Sequence, residues 1–514
     1  MKNFNDGFPL RLFRTEKSME IGVVIFIFVA AFLFRYWHLT SLGWVTDSET
    51  HYLGMKLTDN SILHFSDSST YTILTDNLLS GKGTNIPFNP PFTIFVLAAI
   101  YYIFGKSFFI AKLIYALMGS GALVSVYIIA RELYGRRVAL LTMLLCSASF
   151  ALIFITGGLN IENVYLFTSS LAICLFVLLY GEKWIFKKRP YASSFAFGVV
   201  CGTAMLSRAE FVIVLAAMFF YGLFKREWTV STKMKIVASV VAGMIVFMGP
   251  WTYRNYLFMT DINKKMPGAD LPVFVPVSLN GPFNFIEGHH PNATGTYAPD
   301  LVGRLKAGYI ASLEPRDTRH LMFIRDGYGL GWDLIKKNPG KELKLIPVKL
   351  RVLSDGFANG FFLNNFPVGI NGGSENMADS FVPDSKFMAY AGGLAFLAGL
   401  LVLVFKKEKR KIEYLPLIPL CAVLFITIAF YGLSRMAYPV LPYYYMVISI
   451  GLAAFAKWAN LMDKVSRIPI IVVIIALLAV GFAQSREKTV LYKEDAGGFG
   501  KFRLTFKEKI GKDF

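Results

Sequence analysis

Residues 107–137 read SFFIAKLIYALMGSGALVSVYIIARELYGRR, a long apolar run closed by a turn that carries Arg131, Arg136 and Arg137. A helix rises about 1.5 Å per residue, so 107–130 is long enough to cross the roughly 30 Å hydrocarbon core of a bilayer. Arginines next to the end of such a run are typical of the cytoplasmic side. The stretch therefore predicts a membrane span followed by a cytoplasmic turn.

The composition of the whole chain agrees with a lipid environment. Of 514 residues, 55% are hydrophobic and only 17% are charged, which excludes an ordinary soluble fold and a disordered chain. The net charge of +19 is also found in nucleic-acid-binding proteins. Here the basic residues concentrate in short turns between apolar runs, so they mark one face of a membrane. We expect no nucleic-acid partner.

Further apolar runs of spanning length recur along the chain and predict a mainly α, polytopic membrane protein of about 11 transmembrane helices. The predicted spans are about 20–36, 107–130, 138–156, 162–180, 191–207, 210–224, 234–252, 388–405, 413–431, 440–456 and 468–484. The run 92–104 is too short to cross, so we predict an interfacial helix there. The first run lacks a small-residue cleavage site and is expected to stay attached.

Alternate loops differ sharply in positive charge, which predicts the orientation. With a cytoplasmic N-terminus, the inner loops are basic, whereas the outer turns carry only Arg208 and Arg435 as lone cations. This arrangement predicts a multi-pass protein of the plasma (inner) membrane whose active site lies on the periplasmic or external face. The external parts would be a first loop at 37–106, a long loop at 257–387 and a basic tail at 485–514.

These boundaries give the predicted organisation of the chain. An N-terminal transmembrane catalytic module covers 1–256, the large external loop covers 257–387, and further transmembrane helices cover 388–484. The first loop is expected to hold interfacial helices. The long loop is expected to be mixed α/β, because Leu271–Val277 is strand-like and 318–338 is amphipathic.

Two carboxylates lie just beyond the first predicted span. Asp47 and Glu49 are flanked by aromatic residues, and near a membrane surface the lower dielectric raises the pKa of a carboxylate toward that of a useful general base. The structural alternative is a solvated loop in which Asp47 caps a helix.

The order of short motifs along the chain resembles that of the GT-C membrane glycosyltransferases, in particular the protein O-mannosyltransferase-like and aminoarabinose-transferase-like bacterial enzymes of the family 39 type. The motifs include Asp47-Ser-Glu49, Asn89-Pro-Pro91, Ala111-Lys-Leu113 and Arg131-Glu-Leu-Tyr-Gly-Arg-Arg137. Pro250-Trp-Thr-Tyr-Arg-Asn255 and Ser434-Arg-Met-Ala-Tyr-Pro439 continue the series. Each motif alone is weakly specific, and their order carries the resemblance.

The resemblance implies an enzyme that takes a sugar from a polyprenyl-phosphate carrier, with an undecaprenyl or dolichyl chain, and places it on a glycan, lipid or protein acceptor. The family keeps an acidic pair in the first external loop, and Asp47 and Glu49 match it with one residue between them. Many relatives have Tyr four residues after the Asp, whereas Tyr52 is five after Asp47. Asp67, four residues before Tyr71, has that spacing and is a third candidate for the base. Asp47 is the first choice for the base, followed by Glu49. Arg35 is expected to orient Asp47.

A glycosyl phosphate already has a good leaving group, so the reaction needs a base for the acceptor and cations for the departing phosphate. One carboxylate suffices for inversion, which we favour. The candidate phosphate-binding residues are Arg254, Arg208, Arg435 and Lys112. For each arginine the alternative is pairing with lipid headgroups or with Glu210, and for Lys112 it is a snorkelling anchor.

The long loop contains a segment rich in Asn, His and Gly. Asn284, Glu287, His289 and His290 are expected to contact the acceptor or the sugar. A metal site is less favoured, because adjacent histidines on a loop rarely bind one ion; no cofactor is predicted with certainty, and a divalent cation is not favoured.

Two other classes of protein remain as alternatives. A glycan polymerase or ligase acts on a lipid-diphosphate-linked glycan and favours additional Arg or His in the long loop. A transporter or flippase also has many helices, but typically has paired halves and small external loops. The long loop and the external carboxylates favour the transferase.

Overall fold

The computed structural model describes residues 16–41, 49–52, 55–58, 67–84, 87–181, 188–225, 227–296, 318–358, 360, 385–406 and 411–458. Three sequence predictions lie outside these residues: the role of Asp47, the span at 468–484 and the tail at 485–514. Within them the chain is almost entirely helical.

The helices of the N-terminal half are α1 (Glu16–Ser41), α2 (Asp67–Leu79), α3 (Phe92–Phe104), α4 (Phe108–Tyr134), α5 (Arg136–Ala148), α6 (Phe150–Gly157), α7 (Ile161–Tyr180), α8 (Pro190–Ser207), α9 (Phe211–Leu223) and α10 (Val230–Lys265). The C-terminal half contains α11 (Asn280–His289), α12 (Thr318–Lys337), α13 (Pro339–Ala358), α14 (Ser385–Phe405), α15 (Leu417–Ala429) and α16 (Leu441–Trp458), with 3-10 helices at Lys411–Tyr414 and Ser434–Val440. A short antiparallel hairpin pairs β1 (Glu49–Tyr52) with β2 (Met55–Thr58) in the first loop.

Nine of the predicted spans each overlap one helix, and α3 has the predicted bounds of the run 92–104. Two of the nine, α9 and α15, have only 13 residues each. Among the described residues, five helices are individually long and apolar enough to cross a membrane. The span predicted at 138–156 differs in shape, because α5 and α6 meet at an angle of 70° next to Ser149. The Ser149 hydroxyl donates to the Gly360 carbonyl at 2.9 Å and accepts from Tyr445 at 2.9 Å, so the break is fastened to distant parts of the chain.

Helix α10 is longer than predicted and organises the start of the long loop. It continues past Pro250 for a total of 36 residues, about 54 Å of helix, which exceeds the thickness of the hydrocarbon core. Trp251 Nε1 donates to the Val277 carbonyl at 2.8 Å, and Asn255 Nδ2 donates to that of Val275 at 2.9 Å. The carbonyls of the segment 271–277 thus accept hydrogen bonds from side chains of α10 rather than from a neighbouring strand. The strand predicted there is not formed. In the described part of the long loop the regular elements are helices.

The basic turns lie together at one end of the helix bundle. Glu20 of α1 accepts from Arg131 at 2.7 Å and lies 3.7 Å from Arg136, which joins the ends of α1, α4 and α5. Lys406 pairs with Glu413 at 2.7 Å, and the Tyr134 hydroxyl donates to the Glu413 carbonyl. We call this the basic end. The turns predicted to be external lie at the opposite end, as the alternation of positive charge requires.

The helices α2 and α3 of the first loop pack at that opposite end. Tyr71 of α2, Leu97 of α3, Tyr115 of α4 and Ile161 of α7 belong to one buried apolar cluster. The first loop is therefore packed against the N-terminal turns of α4 and α7, where the candidate site begins.

Helices α8 and α10 cross closely at paired glycines. A Cβ atom at Gly198 would collide with the Val240 carbonyl, and one at Gly243 would collide with that of Phe195. We expect Gly198→Ala to lower the stability of the detergent-solubilised protein by about 1–3 kcal/mol, because the two backbones must separate. Gly249→Ala on α10 is the control, since its Cβ would meet only Ile245 Cγ2 at 3.6 Å. Equal melting temperatures for the two variants would contradict this packing.

Candidate functional site

Residues 428–436, from the end of α15 into the 3-10 helix at Ser434–Val440, contact several elements at the end of the bundle opposite the basic end. We call them the turn at 428–436. Lys349 of α13 donates to the Ile428 carbonyl at 3.1 Å, and the Gly432 amide donates to the Gly295 carbonyl at 2.8 Å. A Cβ atom at Gly356 of α13 would collide with the Ser434 carbonyl, so no side chain fits between this helix and the turn. These contacts fix the backbone that presents Arg435.

Arg435 faces a buried carboxylate that the sequence analysis did not single out. Its Nε lies 3.6 Å from Glu162 Oε1, where the Glu162 side chain is 3% exposed and that of Arg435 is 32% exposed. Glu162 is the second residue of α7, where the helix dipole favours a negative charge. Its other oxygen, Oε2, is buried and has no hydrogen-bond partner among the residues that the structure describes. The signal in the sequence was an acidic residue at the start of an apolar run, on a turn without basic residues.

Arg208 completes a cluster of four charges at the same end. It follows the last residue of α8, and its Nε lies 2.6 Å from Glu210 Oε1, before the first turn of α9. Its guanidinium is 5.7 Å from the centre of the Tyr165 ring, and it interacts electrostatically with Glu162 and Arg435. The structure thus realises the alternative of pairing with Glu210. We call Glu162, Arg208, Glu210 and Arg435 the four-charge cluster.

An apolar cleft opens beside this cluster, between α9 and α15. Its volume is about 370 Å³. Tyr165, Arg208 and Glu210 form its polar end. The remaining lining residues are apolar and comprise Val214, Pro419, Ala422, Val423, Ile426, Met436 and Val440. A charged mouth followed by an apolar trough suits a ligand with an ionic head and a hydrocarbon tail.

Arg254 occupies a different environment on α10. Its guanidinium lies 4.3 Å from the centre of the Phe258 ring and 5.3 Å from that of Trp251, and Nη1 donates to Asn255 Oδ1 at 3.2 Å. The two aromatic faces hold the cation against the helix, which continues for eleven residues beyond Arg254 to Lys265 rather than ending near it as predicted. Arg254 remains a separate candidate for phosphate binding.

Two further basic residues are fully buried. Lys112, in α4, is 0% exposed, so the snorkelling anchor considered from the sequence is wrong. Arg35 is also 0% exposed; Nη1 donates to the Ala31 carbonyl at 3.0 Å and Nη2 to that of Leu152 at 3.5 Å. Arg35 therefore ties α1 to α6. Asp47, the residue it was expected to orient, lies outside the described residues.

The other candidates for the base are placed by the elements that carry them. Glu49 and Tyr52 are the first and last residues of β1, and Asp67 is the first residue of α2. Tyr71, one turn after Asp67, is buried in the apolar cluster shared with the start of α7. The backbone of Asp67 is thus at the same end of the bundle as Glu162.

Helix α11 carries the predicted acceptor-contacting residues, and one of them has a structural role instead. His289 Nδ1 lies 2.7 Å from Glu342 Oε2 and Nε2 lies 2.9 Å from the Ala429 carbonyl, with the side chain 5% exposed. Both ring nitrogens are occupied, so we assign His289 to fastening α11 onto the turn at 428–436 rather than to a sugar. Glu287 is buried on the same helix.

His290 and Asn284 are partly exposed and remain accessible to a ligand. Burial, with a contribution from Lys341, lowers the pKa of His290 below its usual range. Burial also lowers the pKa of Lys349, and Glu342 opposes that shift. Within the described ranges no three His, Cys, Asp or Glu side chains form a metal-binding group.

The comparisons with known proteins agree on the type of fold. Residues 89–253 match the family model described as dolichyl-phosphate-mannose-protein mannosyltransferase. No curated protein matches the chain. The archaeal oligosaccharyltransferase AglB from Archaeoglobus fulgidus, solved with an inhibitory peptide and a dolichol-phosphate, is similar with a TM-score of 0.52 at 16% identity, over 92% of this chain and 56% of that one. Its apo form gives a TM-score of 0.51 at 14% identity with the same coverage.

ArnT from Cupriavidus metallidurans bound to undecaprenyl phosphate covers 88% of this chain and 81% of its own, with a TM-score of 0.35 and 15% identity. The chain spans little more than half the length of the oligosaccharyltransferase. At such identities the similarity shows the fold. The predicted resemblance to GT-C membrane glycosyltransferases and the mainly α polytopic membrane fold are confirmed.

Proposed function

We propose that the protein transfers a sugar from a polyprenyl-phosphate donor to an acceptor hydroxyl on the non-cytoplasmic face of the plasma (inner) membrane. The observation that carries this proposal is the four-charge cluster at the mouth of the cleft between α9 and α15. The fold, the match of residues 89–253 and the dolichol-phosphate in the structure of the archaeal oligosaccharyltransferase support it.

The two arginines of the four-charge cluster can bind a phosphate while they remain paired with Glu162 and Glu210. A guanidinium has five N–H donors in a planar fork, which matches the oxygens of a phosphate. The Arg435 side chain is 32% exposed, and its Nε lies 3.6 Å from Glu162 Oε1, which is longer than a hydrogen bond. We assign the phosphate to Arg208 and Arg435, with the first prenyl units in the cleft. Glu162 and Glu210 hold both arginines in place before the donor binds.

The remaining roles follow from the chemistry of a glycosyl phosphate. Asp47, or failing it Glu49 or Asp67, removes the proton from the acceptor hydroxyl, which attacks the anomeric carbon with inversion as the C–O bond to the phosphate breaks. Arg254 and Lys112 are further candidates for neutralising the departing phosphate. Asn284, Glu287 and His290 are the candidates for contacts with the acceptor or the sugar.

The alternatives differ in the donor that they use. A polymerase or ligase would consume a lipid-diphosphate-linked glycan, and a flippase would move the carrier without forming a product. Arg208 and Glu210 line the cleft, and Arg208 interacts with the pair of Arg435 and Glu162. Because each arginine faces a carboxylate, the cluster has little excess positive charge, which suits one phosphate better than the higher charge of a diphosphate. We therefore favour the monophosphate donor.

Radiolabelled donors distinguish these functions. The purified protein in nanodiscs would be incubated with polyprenyl-phosphate sugars and, separately, with polyprenyl-diphosphate glycans, with boiled protein as the control. We expect sugar transfer or slow hydrolysis from the monophosphate donor only. Turnover from the diphosphate donor alone would support the polymerase or ligase, and translocation without a product would support the flippase; either result contradicts the proposal.

A further inference from the structure

A second cleft, separate from the candidate site, lies at the basic end of the bundle. It has a volume of about 430 Å³, which includes space open to the surroundings. It is bordered by α7, α8, α9 and the first turns of α10. Phe197, Leu215 and Val237 are among its lining residues, which are apolar except for Lys233 and the indole of Trp228.

The cleft opens toward the bilayer rather than toward water. The side chains of Phe220, Leu223, Met234 and Val241, on the two helices that border it, are exposed large hydrophobics. Helix α10 is one of the spanning helices, and the lining residues Lys233 to Val240 lie within its first three turns, about 15 Å of rise. The site is therefore at headgroup and upper acyl-chain depth of the leaflet that faces the basic end.

The rim of the cleft is positively charged. Lys233 lines the cleft directly. Lys225 donates to the Tyr180 carbonyl at 2.5 Å, and its ammonium lies 4.5 Å from the centre of the Trp228 ring. Glu227 is the acidic residue nearby, so the described part of the rim keeps a net positive charge. An anionic group at this depth is attracted by about 1 kcal/mol per nearby Lys, which corresponds to about fivefold in affinity.

We propose that this cleft is a binding site for an anionic phospholipid, with one acyl chain between α8, α9 and α10 and the headgroup phosphate at Lys233. The apolar lining excludes a soluble polar ligand, and the basic rim distinguishes an anionic headgroup from a zwitterionic one. The site lies at the opposite end from the four-charge cluster and is independent of the proposed transferase activity.

The chain offers variants that separate the acyl chain from the headgroup. A Cβ atom at Gly222 would meet only Trp228 at 3.8 Å, so Gly222→Leu fills the cleft without a backbone clash. Lys233→Gln removes the headgroup cation. Lys235→Gln is the matched control, because Lys235 is exposed two residues away on α10, 5.9 Å from the Tyr191 ring, and does not line the cleft.

Native mass spectrometry of the full-length protein in detergent, titrated with dioleoyl phosphatidylglycerol or dioleoyl phosphatidylcholine, tests the site. We expect phosphatidylglycerol to bind about fivefold more tightly, and Lys233→Gln but not Lys235→Gln to remove this preference. Gly222→Leu should weaken both lipids severalfold. A photoreactive phosphatidylglycerol should label peptides of α8 to α10, and Gly222→Leu should reduce that labelling.

The inference is overturned if the two lipids bind equally, or if Lys235→Gln has the same effect as Lys233→Gln. It is also overturned if a segment of the chain such as 459–484 fills the cleft, since labelling would then be absent from these peptides and Gly222→Leu would change nothing. Should Gly222→Leu fail to fold, the comparison of the two lysine variants decides the matter alone.

Discussion

Asp47→Asn is expected to lower carrier-dependent sugar transfer by about 10²- to 10⁴-fold, the usual contribution of a positioned general base. Asparagine keeps the size and hydrogen-bonding shape of the side chain but cannot take a proton from the acceptor hydroxyl. Binding of the donor should be unchanged, because the base acts on the other substrate. Initial rates of transfer and equilibrium binding of a labelled donor, measured on the same preparation, give both quantities.

The other two acidic candidates provide the matched controls. Glu49→Gln and Asp67→Asn remove a carboxylate from the same external loop and are expected to retain measurable transfer. Full turnover by Asp47→Asn, together with its loss in either control, would show that the order of candidate bases is wrong. Loss of donor binding by Asp47→Asn would assign Asp47 to the donor instead.

Arg435→Met is expected to weaken donor binding by about 10- to 100-fold, the value of a hydrogen bond to a charged group. It also leaves Glu162, which is 3% exposed, with one counter-charge fewer, so the protein should lose about 1–3 kcal/mol of stability. The double variant Arg435→Met/Glu162→Gln removes both charges. It should recover the stability but not the affinity for donor, because only the arginine meets the phosphate.

An equivalent pair at the basic end separates this effect from a general loss of charge. Arg131→Met/Glu20→Gln removes an ion pair of 2.7 Å that joins α1 to α4 and should leave donor binding intact. Thermal melting and donor binding would be measured for the unchanged protein, for Arg435→Met and for the two double variants. Recovery of donor binding in Arg435→Met/Glu162→Gln would reduce Arg435 to a structural residue and remove it from the proposed phosphate site.

The hydrophobic pattern predicted the positions of most helices well. The run 92–104 forms α3 with the predicted bounds (Phe92–Phe104). The contacts of Glu20 and Lys406 bring basic turns together at one end of the bundle. The position of α3 in the membrane interface stays a prediction.

The hydrophobic pattern could not predict features that depend on contacts between residues far apart in the chain. Ser149 is one polar residue in an apolar run, and only its bonds to Gly360 and Tyr445 show why the helix breaks there. Arg254 marked the predicted end of the seventh span, but α10 continues because the segment at 271–277 packs along it. The apolar residues that made this segment strand-like include Leu271, Val275 and Val277, which are buried.

The candidate site was predictable in part. Arg208 and Arg435 stood out because they are lone cations on otherwise bare turns, yet nothing in the sequence shows that residues 162, 208 and 435 converge. His289 was predicted to contact the acceptor or the sugar because it lies in a segment rich in Asn, His and Gly. Its contacts with Glu342 and Ala429, which favour a structural role, join positions far apart in the chain. Local patterns thus identify charged residues, whereas their partners follow from the tertiary fold.

The most direct measurement is a density map of the protein in a lipid nanodisc with a polyprenyl phosphate bound. We predict the phosphate within hydrogen-bonding distance of Arg208 and Arg435, the prenyl chain in the cleft between α9 and α15, and the carboxylate of Asp47 at the same end of the bundle. A phosphate bound at the basic end, or a wall of packed protein between it and Asp47, would contradict the proposed function.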